Sequence, residues 1–250
     1  VAVVKAGAFG IVRTVYEVFG IEAARDLGLL GPLAFVAGFT IVYGSVRALF
    51  QEELKKRLAY STVSQVSYIT LGSAIFGPVA TIGGIVHLVH QGVMKITLFF
   101  AAGNYAETLG IHRIREMNGV GRRMPWTSVA FTIGALGMIG VPPLAGYVSK
   151  WYLQQGGIQA GAGWISLVLS ASSLLNAAYF LPILYRMWFL DEPEEWPEER
   201  SLGRGETHWM LLVPPVVTAL LVVYFGVFAE TPFSPLEWAK LIARREYDAP

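Results

Sequence analysis

Three lysines fall inside long apolar stretches of the chain: Lys5, Lys95 and Lys150. An ammonium in hydrocarbon costs from about 2.5 kcal/mol upward, so such a residue turns toward a protein interior or a water-filled path. Removal from water also favours the neutral amine, and a lysine tuned in this way can take up and release a proton near neutral pH. The stretch His87-Leu-Val-His90-Gln91-Gly-Val-Met-Lys95 adds further polar groups. At about 100° per residue, His87, Gln91 and Lys95 follow one helix face with a drift of about 40° per step, and His90 lies about 60° to the other side. A stripe of this kind is what a proton relay needs, with donors and acceptors in reach directly or through water. Plainer roles stand beside this one. A lone buried histidine can simply hydrogen-bond a neighbouring helix, and Lys5, near the start of the chain, can snorkel to an interface. Lys95 lies too deep for that. Lys150 follows Pro142-Pro143, and interrupted helices expose unpaired backbone at the membrane midplane, where transporters place ion sites. Lys5, Lys95, Lys150, His87 and His90 are therefore the candidate proton-translocation residues.

The elements that must hold these groups follow from composition. Only 15% of the 250 residues are charged, against about 25% in ordinary soluble domains, and the mean hydropathy is +0.51. Seven apolar segments are expected, over 1–19, 29–50, 59–76, 79–105, 126–155, 164–190 and 209–229. Inside a bilayer every backbone polar group must be paired internally, so these segments are helices. The expected fold is all-α, a polytopic transmembrane bundle of about seven helices. In the fifth segment Gly140-Val141-Pro142-Pro143 stops a regular helix, because two prolines remove donors and clash with preceding carbonyls. It should form two half-helices meeting in mid-membrane. Residues 1–229 form the expected transmembrane ion-translocating domain, and 230–250 an external or interfacial tail. Within the tail, Pro235–Tyr247 has Leu236, Trp238, Leu241 and Ile242 as the apolar positions of a short amphipathic helix.

Loop charges predict the orientation. Lys55, Lys56 and Arg57, then Arg113, Arg115, Arg122 and Arg123, then Arg200 and Arg204 fall in alternate connections. The intervening connections hold only Arg25 or no base at all. This is the positive-inside pattern, with the first helix starting on the cytoplasmic side and the C-terminus external. Lys240, Arg244 and Arg245 in the tail dissent. The acidic loop after Trp188 reads as a solvated connection with interfacial aromatic anchors. Polar residues Ser61, Thr62, Ser64, Gln65, Ser67 and Tyr68 crowd the third segment, either bonding between helices or lining a wet cavity. No catalytic grouping, phosphate loop or metal-ligand spacing occurs. A formal net charge of +1 and the absence of cysteine give no reason to expect a nucleic-acid partner, a thiolate metal site or a cysteine-held cluster. No cofactor, metal or catalytic residue is expected on this chain.

Four stretches carry a family resemblance. Glu53-Leu-Lys55-Lys56-Arg57-Leu-Ala-Tyr60-Ser61-Thr62-Val-Ser64-Gln65 opens one helix, and His90-Gln91-Gly-Val-Met94-Lys95-Ile-Thr-Leu-Phe-Phe forms another. Ile139-Gly140-Val141-Pro142-Pro143-Leu-Ala-Gly146-Tyr-Val-Ser149-Lys150-Trp151-Tyr152 spans the break, and Val4-Lys5-Ala-Gly-Ala-Phe-Gly-Ile-Val-Arg13 lies first in the chain. Together they resemble the antiporter-like proton-translocating subunits of NADH:quinone oxidoreductase, of membrane-bound hydrogenases and of Mrp-type cation/proton antiporters. Met124-Pro125-Trp126 and Ser149-Lys150-Trp151-Tyr152 look most like the D-type member of the last group. The resemblance implies two inverted five-helix repeats within about fourteen helices, in a prokaryotic cytoplasmic membrane. This chain would supply the last helix of the first repeat, the whole second repeat and the closing helix. It further implies that Lys5 and Lys95 connect along a central polar axis and that Lys150 is the terminal group. His87 and His90 would carry protons between them through water. Lys55, expected in a loop, carries less weight. The first repeat's glutamate and broken-helix lysine have no match, so either sequence before Val1 or a split subunit is expected. The implied function is proton translocation coupled to Na⁺ exchange, with other membrane subunits as partners. Its alternatives are a redox-driven pump subunit, whose cofactors would lie on other chains, and a non-conducting scaffold.

Overall fold

A computed structural model describes residues 2–200 and 205–247; Val1 and Arg204, named above, lie outside them. Among the described residues the chain is helical and has no strand, which is how a chain in lipid satisfies its own backbone. The helices are α1 (Ala2–Arg13), α2 (Ile21–Asp26), α3 (Leu30–Leu49), α4 (Leu54–Ser73), α5 (Pro78–Leu109), α6 (Val120–Arg123), α7 (Pro125–Ile139), α8 (Ala145–Gln159), α9 (Gly163–Phe189), α10 (Trp209–Val227) and α11 (Pro235–Tyr247). The bundle is built around α5. Its 32 residues run about 48 Å, and α4, α7, α8, α10 and α11 all pack on it.

Among the described residues four helices are long and apolar enough to cross a membrane: α3, α5, α9 and α10. The other expected spans differ for identifiable reasons. The first is α1 followed by a six-residue π-helical turn, Thr14–Phe19, a distortion that apolar periodicity does not register. The third, α4, is polar because it is an inner helix; Ser61, Ser64 and Gln65 are all fully buried. The fifth is divided, as expected, into α7 and α8 on either side of residues 140–144. Outward faces are apolar, with Leu167, Leu174 and Phe189 about three-quarters exposed. Such a surface suits lipid and would be a liability in water.

Helix α4 begins at Leu54, not at residue 59, so Lys55, Lys56 and Arg57 occupy its first turn rather than a loop. Two features hold that turn. Leu54 N donates to His112 O at 3.0 Å and Ile114 N to Glu52 O at 3.0 Å, pinning the entry. The Arg57 guanidinium donates to Leu49 O and Gln51 O, occupying carbonyls at and just past the end of α3, and it also reaches Tyr179 O of α9 at 3.0 Å. Hydropathy marks where charge ends, whereas lysine and arginine are good helix formers.

Prolines inside the helices also shape the packing. Pro215 in α10 has no N–H for the carbonyl four residues back, and Asn104 Nδ2 of α5 donates to that Leu211 carbonyl at 2.9 Å. The tail helix α11 buries Leu236, Ala239 and Ala243, while Trp238, Leu241 and Ile242 face outward. The apolar positions read from the sequence thus lie on two sides. Only Leu236 joins the inner one, because small alanines make the close contact with α5. The Tyr247 hydroxyl accepts from Gly77 N at 3.0 Å and lies 3.1 Å from Thr81 Oγ1, which is itself 2.6 Å from Tyr16 Oη. Those bonds fasten α11 and the π turn to the start of α5.

Candidate functional site

The interior holds an unusual density of polar groups. On α5, His87, His90, Gln91 and Lys95 are all fully buried. Lys95 Nζ donates to Ser61 Oγ of α4 at 2.6 Å. Ser61 Oγ lies 2.7 Å from Tyr179 Oη of α9, and that hydroxyl donates in turn to Asn176 Oδ1. Asn176 Nδ2 donates to Met138 O at 3.0 Å. Lys150 Nζ reaches the same carbonyl at 2.9 Å, with Ile139 O at 3.0 Å and Ser173 Oγ at 3.1 Å. An unbroken run of direct hydrogen bonds therefore joins Lys95 to Lys150.

The Lys150 end follows from the two prolines. In a regular helix the carbonyls of Met138 and Ile139 would accept from the N–H groups of residues 142 and 143. Both of those residues are proline and have none. The freed carbonyls sit at the negative end of α7 and take the ammonium of α8 instead. Gly140 makes the approach possible: at φ 96° it adopts a conformation that glycine tolerates, and a Cβ there would come within 3.0 Å of Lys150 Cδ.

His87 Nδ1 lies 2.8 Å from Ser149 Oγ. Its ring stacks on Tyr68 at 5.0 Å, and the other neighbour of that phenol is Lys150 Nζ at 5.6 Å from its centroid, within cation–π range. His90 stacks on Phe225 of α10. Neither ring nitrogen of His90 makes a hydrogen bond within the described residues, nor do His87 Nε2 and the side-chain amides of Gln65 and Gln91. Buried polar atoms of this kind are ordinarily satisfied by ordered water. Outside the chain of bonds, Lys150 lines a recess of about 470 Å³ together with Gln154, Ser170 and Ser173.

Lys5 stands apart from that chain. Its ammonium donates to Leu88 O of α5 at 2.7 Å, and it occupies the space a side chain on Gly92 would need. It therefore points into the middle of α5 and does not snorkel. Lys55 is exposed in the first turn of α4 and makes none of these buried bonds. Among the described residues no three His, Asp or Glu side chains converge as metal ligands would. The one buried carboxylate among them, Glu206, lies away from the axis. Sequence reasoning had not singled out Tyr179, Asn176 or Ser173. Their signal was present as a stripe with a spacing of three residues on the apolar α9, which reads equally well as interhelical glue.

Apolar outer faces around a polar, lysine-bearing interior define an integral membrane bundle with a buried hydrophilic axis. Residues 1–176 match the family described as NADH:quinone oxidoreductase/Mrp antiporter, TM, and the chain belongs to that family. It is 37% identical over 234 residues to NADH-quinone oxidoreductase subunit N of Desulforudis audaxviator, covering 90% of this chain and 46% of that protein. It is 30% identical over 231 residues to the D-type component of the Na(+)/H(+) antiporter of Alkalihalophilus pseudofirmus, covering 92% and 45% respectively. The fold superposes on a chain of the Mrp complex from a Dietzia species with a TM-score of 0.85 at 24% identity, over 98% of this chain and 51% of that one. The chain thus spans about half the length of the curated relatives it matches.

Proposed function

We propose that this chain forms a proton-translocating half-channel within a multisubunit membrane complex, with Lys95 and Lys150 exchanging protons along the axis. The observation that carries the reading is the continuous set of hydrogen bonds from Lys95 through Ser61, Tyr179 and Asn176 to the carbonyl shared with Lys150. Lysine and tyrosine can give up one proton and accept another, and serine can pass one along. Asn176 and a backbone carbonyl hold geometry without relaying, so the last step into Lys150 needs water. The unpartnered Gln65, His87, His90 and Gln91 atoms support a wet route beside the direct one, with His87 and Lys150 both lying against the Tyr68 ring. Lys5 joins through the same wet region. A scaffold would gain nothing from ammonium groups that cost several kcal/mol to bury.

Two settings are open to such a half-channel. The motifs around Lys150 and the Na(+)/H(+) antiporter relative support coupling to Na⁺ exchange in an antiporter. The higher of the two reported identities, 37% against 30%, favours a redox-driven complex. The arrangement we propose takes α1 as the last helix of one repeat, α3 to α9 as the second repeat and α10 as its closing helix. It lies in a prokaryotic cytoplasmic membrane with residues 50–57 and 110–124 inside and the C-terminal tail outside. Lys95→Ala and Lys150→Ala, each placed in the complete complex and assayed for proton movement in inverted vesicles, should lower transport by about tenfold or more while the complex still assembles. Unchanged transport in both variants would leave only the scaffold. Supplying either a Na⁺ gradient or NADH to the same vesicles separates the two settings.

A further inference from the structure

Glu206 is buried, yet it makes no ion pair among the described residues. A carboxylate held in that way costs free energy unless strong hydrogen bonds replace its water. Here they do. Trp126 N donates to Oε2 at 2.8 Å, Thr127 N to Oε1 at 2.8 Å, and Thr127 Oγ1 to Oε1 at 2.6 Å. These are the first free N–H groups of the half-helix α7, whose first residue, Pro125, has none. The residue in the capping position is Met124, with no side-chain hydrogen bond, and methionine offers no oxygen for the task. The cap comes instead from 79 positions along the chain. The segment carrying it is tied down in turn: Thr108 Oγ1 donates to Thr207 Oγ1 at 2.9 Å, and Asn104 Nδ2 donates to Leu211 O at 2.9 Å.

The other end of α7 is the pair of free carbonyls that hold the Lys150 ammonium. A helix of 15 residues is a rod about 22 Å long, so fixing one end constrains the other. We propose that Glu206 is a positioning residue for the Lys150 seat: by fixing the N-terminal end of α7 to the segment leading into α10, it sets where the far end presents its carbonyls. This rests on Lys150 taking part in proton transfer. A carboxylate suits the role because both its oxygens accept, one for each N–H. An amide would turn a donor toward one of them.

The test uses Glu206→Ala, Glu206→Gln and Glu206→Asp in the complete complex, with transport expressed per assembled molecule and amide exchange followed by residue. Glu206→Ala should lower transport by about tenfold, and Glu206→Gln should fall in between. Glu206→Asp, which keeps the charge and one of the two caps, should recover to within about threefold of the parent. Exchange should quicken at Trp126 and Thr127 and also at Gly140 and Val141, whose N–H groups bond Leu136 O and Gly137 O at the far end. Should Glu206→Ala fail to assemble, Glu206→Gln carries the same comparison. Parent-like transport per molecule, or faster exchange confined to residues 125–128, overturns the proposal. If Lys150→Ala itself transports normally, the reading of Lys150 falls, and the exchange at Gly140 alone decides whether Glu206 positions that end.

Discussion

Every direct link between Lys95 and Lys150 passes through the phenol of Tyr179, which faces Ser61 on one side and Asn176 on the other. Removing that oxygen leaves both neighbours buried and short of a partner, a cost of about 1–3 kcal/mol for each unsatisfied group. Tyr179→Phe should therefore lower the unfolding midpoint and slow proton transport by about tenfold or more, with both lysines intact. Parent-like transport in Tyr179→Phe would place conduction entirely on the wet route past His87 and His90. The lysines and histidines were readable in the sequence because a charge or imidazole within an apolar run is costly and conspicuous. Tyr179 was not, since a tyrosine on an apolar helix looks the same whether it anchors at an interface, packs or relays. Only the approach of α4 and α9 distinguishes those cases.

At the scale of elements, the break between α7 and α8 was legible because two adjacent prolines have one meaning inside a membrane helix. What the pattern could not give is which carbonyls become free and what takes them. Met138 and Ile139 stand four residues before Pro142 and Pro143, so each proline frees one acceptor for Lys150. Replacing a proline with alanine restores an N–H that competes for that carbonyl. A hydrogen bond to a charged group contributes about 1.5–3 kcal/mol, so Pro142→Ala and Pro143→Ala should each lower transport by about one order of magnitude. The double variant should do worse, with folded protein at the parental level. Full transport in the double variant would mean that the break serves packing and not the ammonium. The start of α4 shows the opposite case: Lys55, Lys56 and Arg57 looked like a loop, and the carbonyls that Arg57 takes up at the end of α3 explain why they are helical.

For the whole molecule, the alternation of basic connections is the sequence feature with the longest reach, because the orientation we propose for every helix rests on it. The chain has no cysteine, so single cysteines can be introduced without background. Lys56→Cys and Arg122→Cys should react with an impermeant thiol reagent only from the cytoplasmic face, and Asp26→Cys and Ala160→Cys only from the other. Labelling of Lys56→Cys and Ala160→Cys from one side would overturn the orientation. The bundle as a helical class followed from composition alone, whereas the way α11 lies on α5 did not, since the residues that seat it are alanines with no hydropathic signature.

Among the described residues the axis holds ammonium and imidazole groups but no carboxylate. No fixed negative charge is therefore on hand to balance a second proton. Two like charges about 10 Å apart repel by about 1.7 kcal/mol at an effective dielectric of about 20, roughly a fifteenfold penalty on double occupancy. Occupancy of neighbouring sites should then be anticorrelated, so that a proton arriving at one lysine expels the charge already resting on the next. On the proposed route, that repulsion would order proton traffic along the line without requiring a moving gate.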